Sequence, residues 1–202
     1  MELKNLEFAS IDFESTGHRE GIGDEPIQIG IALMSEFQID KNSFFRSYIK
    51  PKNDHQITKT SQNVHHIKTE NLKESPFLYE LWPKINNLLR KRVVVAHGAG
   101  TEKRFLRAFP MHGFDIWIDT LQLSKKILPD STDYSLGALI EDVDVKDDLQ
   151  SVCPELSWHD ALYDAVANLF LLRELLKKAE GRLTYQELLK ICLLYTSPSP
   201  RD

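Results

Sequence analysis

The chain reads as an α/β domain with a mixed five-stranded sheet, an antiparallel meander followed by parallel strands, flanked by helices. Three observations predict this. Three strand-like segments lie close together at the start, strand-like and helix-like segments alternate through the middle, and a long amphipathic helical pattern closes the sequence.

Residues 6–13 are apolar at Leu6, Phe8, Ile11 and Phe13, a strand with one break in its alternation. Residues 26–34 carry Ile27, Ile29, Ile31 and Leu33 at period two, a second strand. Residues 42–49, with Phe44, Phe45 and Tyr48, form a third, ended by Pro51. Short connections make these three an antiparallel meander. Residues 51–74 are polar and irregular, with helical turns expected near 63–66. Ser75 and Pro76 read as the N-cap and first position of a helix carrying Leu78, Leu81, Trp82, Ile85, Leu88 and Leu89, with Pro83 inside it as a kink. The continuous run Val93-Val94-Val95-Ala96 predicts a buried parallel strand. A helix with Phe105, Leu106 and Phe109 follows, then a short strand over 116–118, a helix over 120–127 and a short helix over 135–140. The last long helix is predicted over 159–178, with Leu162, Val166, Leu169, Leu172 and Leu176 along one face.

A length of 202 residues fits one domain that buries its core without staples. Hydrophobic residues at 42% and charged residues at 27% are those of a folded globular chain. No apolar run approaches the ~18 residues of a membrane span, and the opening residues lead into the first strand with no room for a signal peptide. A cytoplasmic location with no membrane partner is therefore expected. The net charge of −5 argues against coating long duplexes, which needs a broad basic surface. It permits a protein that holds one strand end through bound cations.

Near the C-terminus, Thr184 and Glu187 have capping-box spacing, and Leu183 and Leu188 are placed for a hydrophobic staple. A helix should therefore begin within residues 181–191. Residues 192–202 interrupt it, and their sequence resembles the in-frame translation of a transposase-type sequencing adapter. The organisation expected is one domain over 1–180, the start of a truncated helix over 181–191, and an adapter-derived tail over 192–202. Excluding that tail removes Cys192 and leaves Cys153 with no internal disulfide partner.

Three clusters could carry chemistry. In Ile11-Asp12-Phe13-Glu14-Ser15-Thr16-Gly17 the strand period aims both carboxylates at one face, with Ile11 and Phe13 toward the core. Carboxylates this close repel unless a cation or proton lies between them, and oxygen ligands suit Mg²⁺. In Trp158-His159-Asp160-Ala161-Leu162-Tyr163-Asp164, small neighbours would let a helix approach the sheet and bring Asp164 to the first pair. An imidazole beside a metal can deprotonate a water. In His97-Gly98-Ala99-Gly100-Thr101-Glu102, a buried strand turns into a helix, where α/β sheets place their sites. Each has a plainer structural reading: an exposed strand end, an Asp160 helix cap, and an acid favoured in a helix's first turn.

Together the three resemble the DEDDh (DnaQ-like) 3′→5′ exonuclease family. Asp12-Phe13-Glu14-Ser15-Thr16-Gly17 matches its first motif, and His159 followed by Asp164 matches its last. The middle motif departs from the family: Gly98 stands for Asn, Thr101 for Phe, and Glu102 for the metal-site Asp. Ile118-Asp119-Thr120-Leu121 and Tyr134-Ser135-Leu136-Gly137 also resemble family landmarks, so the likeness runs over residues 6–176. The resemblance implies a ribonuclease H-like fold and a two-metal exonuclease using Mg²⁺ or Mn²⁺ held by Asp12, Glu14, Glu102 and Asp164. His159 would be the general base, and Ser15, Thr16 and His97 would contact substrate. It implies release of 5′-nucleotides from a single-stranded 3′ end, DNA before RNA, and a DNA polymerase or other replication or repair protein as partner. The alternative is a weakened nucleic-acid-binding or regulatory module on the same fold, prompted by Glu102.

Overall fold

The computed structural model describes residues 5–20, 23–52, 57–109, 113–114, 116–179, 184, 186–188 and 190. Its five strands are β1 (Glu7–Ser15), β2 (Pro26–Ser35), β3 (Gln38–Tyr48), β4 (Val93–Ala96) and β5 (Trp117–Asp119). They lie in the order β3-β2-β1-β4-β5. The β1–β2 and β2–β3 pairs are antiparallel, while β4 runs parallel to both β1 and β5. This is the predicted meander continued by parallel strands, the ribonuclease H-like arrangement. The helices are α1 (Lys59–His65), α2 (Thr69–Leu72), α3 (Leu78–Leu89), α4 (Gly100–Leu106), α5 (Thr120–Ile127), α6 (Leu136–Asp142), α7 (Lys146–Val152) and α8 (Ala161–Lys178).

Strand alternation divides the core into two layers. Ala9, Ile11, Phe13, Ile29, Ile31 and Val94 face α3 and α4. Phe8, Ala32, Met34, Val93, Val95 and Ile118 face the other way and pack with the later helices. Asp12 pairs across the sheet with Gly30, and Glu14 with Gln28, so the β1 carboxylates share the second face. A register irregularity falls between Glu14 and Ser15, at the end of the strand that carries them.

Several boundaries differ from the sequence reading. β3 starts at Gln38, ahead of residue 42, because Glu36 and Phe37 turn the chain with φ of 50° and 62°. Positive φ at both central residues is the tight hairpin geometry usually supplied by Asn-Gly, and neither residue advertises it. Helix α3 begins at Leu78, not after Ser75, because the chain at Pro76–Phe77 is held extended against Lys50. Helix α7 was not anticipated. Helix α8 is buried around nearly its whole circumference rather than along one stripe, since it lies between the sheet and α5, α6 and α7. Thr184 and Glu187 do form the capping box, with Glu187 Oε2 accepting from the Thr184 N–H at 2.8 Å and Thr184 Oγ1 accepting from the Glu187 N–H at 3.3 Å. Leu188 is buried against the α8 side of the core, whereas Leu183 and the tail over 192–202 lie outside the described residues. Among the described residues no helix is long and apolar enough to cross a membrane.

The contact that sets the position of α8 is at Gly30. A Cβ there would stand 2.1 Å from the backbone carbonyl of Ala161, so only glycine lets the helix start press on the sheet. Gly30→Ala is expected to destabilise the domain by about 1–3 kcal/mol through overpacking. Urea unfolding would measure it, and an unchanged midpoint would show that the helix start is free to back away.

Candidate active site

The N-terminus of α8 is fastened to the sheet by buried polar bonds. Gln28, 1% exposed, donates from Nε2 to Asp160 Oδ2 at 3.2 Å and accepts from the Ala161 N–H at 2.9 Å. Asp160 is the N-cap, accepting from the Leu162 N–H at 3.1 Å, and pairs with Arg46 of β3 at 2.5 Å. The capping role weighed for Asp160 is therefore the one it has. Its neighbour His159 is exposed and held at φ 66°, an unusual conformation for a non-glycine residue. Its N–H donates to Asp164 Oδ2 at 3.3 Å.

This fastening brings residues from both ends of the chain together. One donor atom each from Glu14, His159 and Asp164 lie within 4.8 Å of one another, a spacing that suits a metal ion. Asp12 stands two residues before Glu14 on the same face of β1, and Glu102 in the first turn of α4 is close enough to repel it, but neither belongs to that 4.8 Å group. The carboxylates repel one another and are partly shielded from water, Glu102 buried and Asp12, Glu14 and Asp164 half-buried. Burial raises Asp12 well above the ordinary carboxylate range, and repulsion from Glu102 adds to it. Burial first, then Asp12 and Asp164, push Glu14 up to about 9. Burial, then Asp12, push Asp164 up to about 8. Burial likewise raises Glu102 to about 7. Oε2 of Glu102 and Oδ1 of Asp164 are buried with no hydrogen-bond partner among the described residues. Oxygen atoms so placed, on acids that resist ionisation, are what a hard divalent cation would satisfy.

The departures in the middle motif are accommodated. Gly98 has φ 75°, a conformation open to both glycine and asparagine, and its N–H donates to Asp119 Oδ1 at 3.0 Å. Asp119 also accepts from the N–H groups of Ala99 and Leu121, each at 3.0 Å, tying the start of α4 to β5 and α5. Glu102 stands close enough to Asp12 for its charge to raise that carboxyl further.

The residues expected at the substrate divide. Ser15 is half-buried at the end of β1, and its carbonyl accepts from His65 Nε2 at 3.2 Å. The donor role follows from His65 Nδ1, which accepts from the Ile67 N–H at 3.0 Å. Thr16 is 2% exposed, and its hydroxyl is used on Asp24 at 3.3 Å and the Glu25 N–H at 3.0 Å. Both ring nitrogens of His97 are engaged, Nδ1 with Thr120 Oγ1 at 3.0 Å and Nε2 with the Tyr134 carbonyl at 2.9 Å. The side chains of Thr16 and His97 are thus engaged within the protein. Gln28, Gly30 and Arg46, which position members of the site, were missed in the sequence, whereas Asp119 was noted within the Ile118–Leu121 landmark without a role. The one signal of the missed residues was the placement of Gln28 and Gly30 between core isoleucines.

Comparison with known proteins agrees with this geometry. The exonuclease (RNase T) family model matches residues 10–172. The PolC-type DNA polymerase III of Thermotoga petrophila is 31% identical over 207 residues, which span 98% of this chain and 14% of that protein. The chain thus spans about one seventh of that relative's length. Among solved structures, Exonuclease X in complex with 5′-overhanging duplex DNA superposes with a TM-score of 0.73 at 22% identity, covering 91% of this chain and 98% of that one. The nuclease domain of 3′hExo bound to rAMP gives a TM-score of 0.72 at 14% identity, covering 88% and 94%.

The raised carboxylates make a thermal prediction. An acid whose folded pKa is raised adds stability that is full below its unfolded pKa and is lost as pH rises through the folded value. Without divalent ions, the melting temperature should therefore fall from the ordinary carboxylate range up to about pH 9, through the values of Glu102, Asp164 and Glu14. Mg²⁺ or Mn²⁺ should raise it, most at the alkaline end. Asp12→Asn should raise the ion-free value by about 2–4 °C, the worth of roughly 1 kcal/mol in a domain of this size, and suppress the ion's effect. Scanning calorimetry reads all three, and ion-free stability that climbs across this window would contradict the assignment.

Proposed function

The chain belongs to the exonuclease (RNase T) family, and from that membership we propose that it hydrolyses the last phosphodiester of a single strand, working 3′→5′ and releasing 5′-nucleotides. The observation that carries this reading is the cluster of mutually repelling, partly unsatisfied carboxylates with His159 at its mouth. Asp12, Glu14 and Asp164 would hold one divalent ion, and Asp12 with Glu102 a second, Mg²⁺ or Mn²⁺ in each case. When bound, such ions lower the pKa of a water and stabilise charge on the attacked phosphate and leaving oxygen.

The remaining work belongs to the protein. His159 is exposed and converges with Glu14 and Asp164, so its imidazole can take the proton of a water held there and return it to solvent. Its φ of 66°, the Asp164 bond to its N–H and the Asp160 cap restrict where the ring can go. Ser15, half-buried beside Glu14, would border the terminal nucleotide. Thr16 and His97 act through the backbone they brace.

DNA is the favoured strand, because the PolC-type relative is a DNA polymerase and Exonuclease X is seen with DNA. The same relative motivates a DNA polymerase, or another replication or repair protein, as partner. The bound rAMP of 3′hExo keeps RNA as the second substrate to assay.

Digestion of 3′- and 5′-labelled single strands, DNA and RNA in parallel, tests the reading. Stepwise loss from the 3′ end is expected with Mg²⁺ or Mn²⁺, none with EDTA or in Asp12→Ala, and a slowing of about 100- to 10,000-fold in His159→Ala. No cleavage by the folded wild type would overturn it. A gain of many orders of magnitude in Glu102→Asp would instead identify a site weakened by its longer acid.

A further inference from the structure

A cleft of about 310 Å³ opens between α3, α4 and the adjoining ends of β2 and β3. That volume is at the lower end of small-molecule sites, ~300–1,000 Å³. Its floor is apolar, with Ile49 and Leu78 buried beneath it. Its rim carries Lys50, Lys52, Tyr79 and Arg104.

Tyr79 is 58% exposed, the most exposed large hydrophobic side chain among the described residues. It stacks on Phe77 with ring centroids 5.5 Å apart and planes 11° from parallel. The Lys50 ammonium lies 5.5 Å from the centre of the Phe77 ring. The exposure of Tyr79 leaves part of its ring open to a further planar group. The cleft's acids are already engaged: Asp24 pairs with Arg104 at 2.7 Å, and Glu25 accepts from the Lys52 N–H at 2.5 Å. Among the described residues no acid pairs with the Lys50 or Lys52 ammonium.

The cleft is also tied to the end of β1 that carries Glu14. Asp24, in its wall, accepts from the Thr16 hydroxyl and from the Gly17 N–H at 3.0 Å, just beyond Glu14.

We propose that this cleft is a second nucleotide subsite, taking a nucleotide of the substrate strand upstream of the scissile one. Its base stacks on Tyr79 and its phosphates meet Lys50 and Lys52. Stacking tolerates any base, and cations on a rim follow a backbone without reading sequence, which suits an enzyme that must accept every end. The inference rests on the exonuclease reading.

The test is fluorescence anisotropy of 5′-labelled single-stranded DNA in EDTA, comparing a dinucleotide with a longer oligonucleotide. Wild type should prefer the longer strand. Tyr79→Ala should weaken the longer strand about tenfold and narrow the difference, while Tyr79→Phe keeps it. Lys50→Glu with Lys52→Glu should flatten the salt dependence of log affinity by roughly 0.7 for each phosphate no longer neutralised. Tyr79 and both lysines are exposed, so these variants keep the fold. Length and salt dependence unchanged in all variants would overturn the subsite while metal-dependent digestion stood. Equal affinity of wild type for both lengths, or a Tyr79-dependent affinity for free 5′-nucleotide alone, would also overturn it. Absence of cleavage with these length effects intact would count against the exonuclease reading alone.

Discussion

The site depends on one close approach, the start of α8 against β2 at Gly30. Asp12 lies across from Gly30, and Glu14 across from Gln28. A helix that touches the sheet at these two positions must deliver its first turn to the carboxylates of β1. Gln28 makes the approach tolerable. Its amide supplies both an acceptor for the Ala161 N–H and a donor for Asp160, so these two groups keep partners where the helix end meets the sheet. A carboxylate there could accept but not donate, and it would add a further negative charge.

What this approach assembles is electrostatically unfavourable by itself. Four acids repel one another, two of them have buried oxygen atoms without partners among the described residues, and His159 holds a strained backbone beside them. Such features persist only where surrounding structure over-determines them. Here that structure is the Asp160 cap with its Arg46 and Gln28 partners, and the Asp119 bonds to the start of α4. Stability is given up at the cluster, and rigidity around it keeps the acids converged where a divalent cation would reverse the repulsion.

The meander, the buried fourth strand and the shared face of the β1 carboxylates were legible in the sequence because each follows from local periodicity or short connections. The place of β4 beside β1 was not, and the His159–Asp164 spacing was legible only through the family motif. Ile27, Ile29 and Ile31 announce β2 by alternation, and the Val93–Ala96 run announces a buried strand. Other features depend on pairing register, which no local pattern encodes. Gln28 reads as the outward residue of an amphipathic strand, yet it is buried because α8 covers that face. The Glu36–Phe37 turn lacks turn-forming residues, and tertiary pairing of β2 with β3 imposes it. The family resemblance placed Thr16 and His97 at the substrate, and only the hydrogen bonds show their side chains turned to the scaffold.

The central claim is that these acids form a divalent-metal centre. It is tested most directly by calorimetric titration of Mn²⁺ into the metal-free protein near neutral pH, in buffers of different ionisation heat. Saturable binding with proton release is expected, because burial pushes Asp164 up to about 8 and Glu14 up to about 9, and both must ionise to serve as ligands. Asp12→Asn should largely lose that binding. Absence of binding by the folded wild type, or equal binding by Asp12→Asn, would contradict the claim.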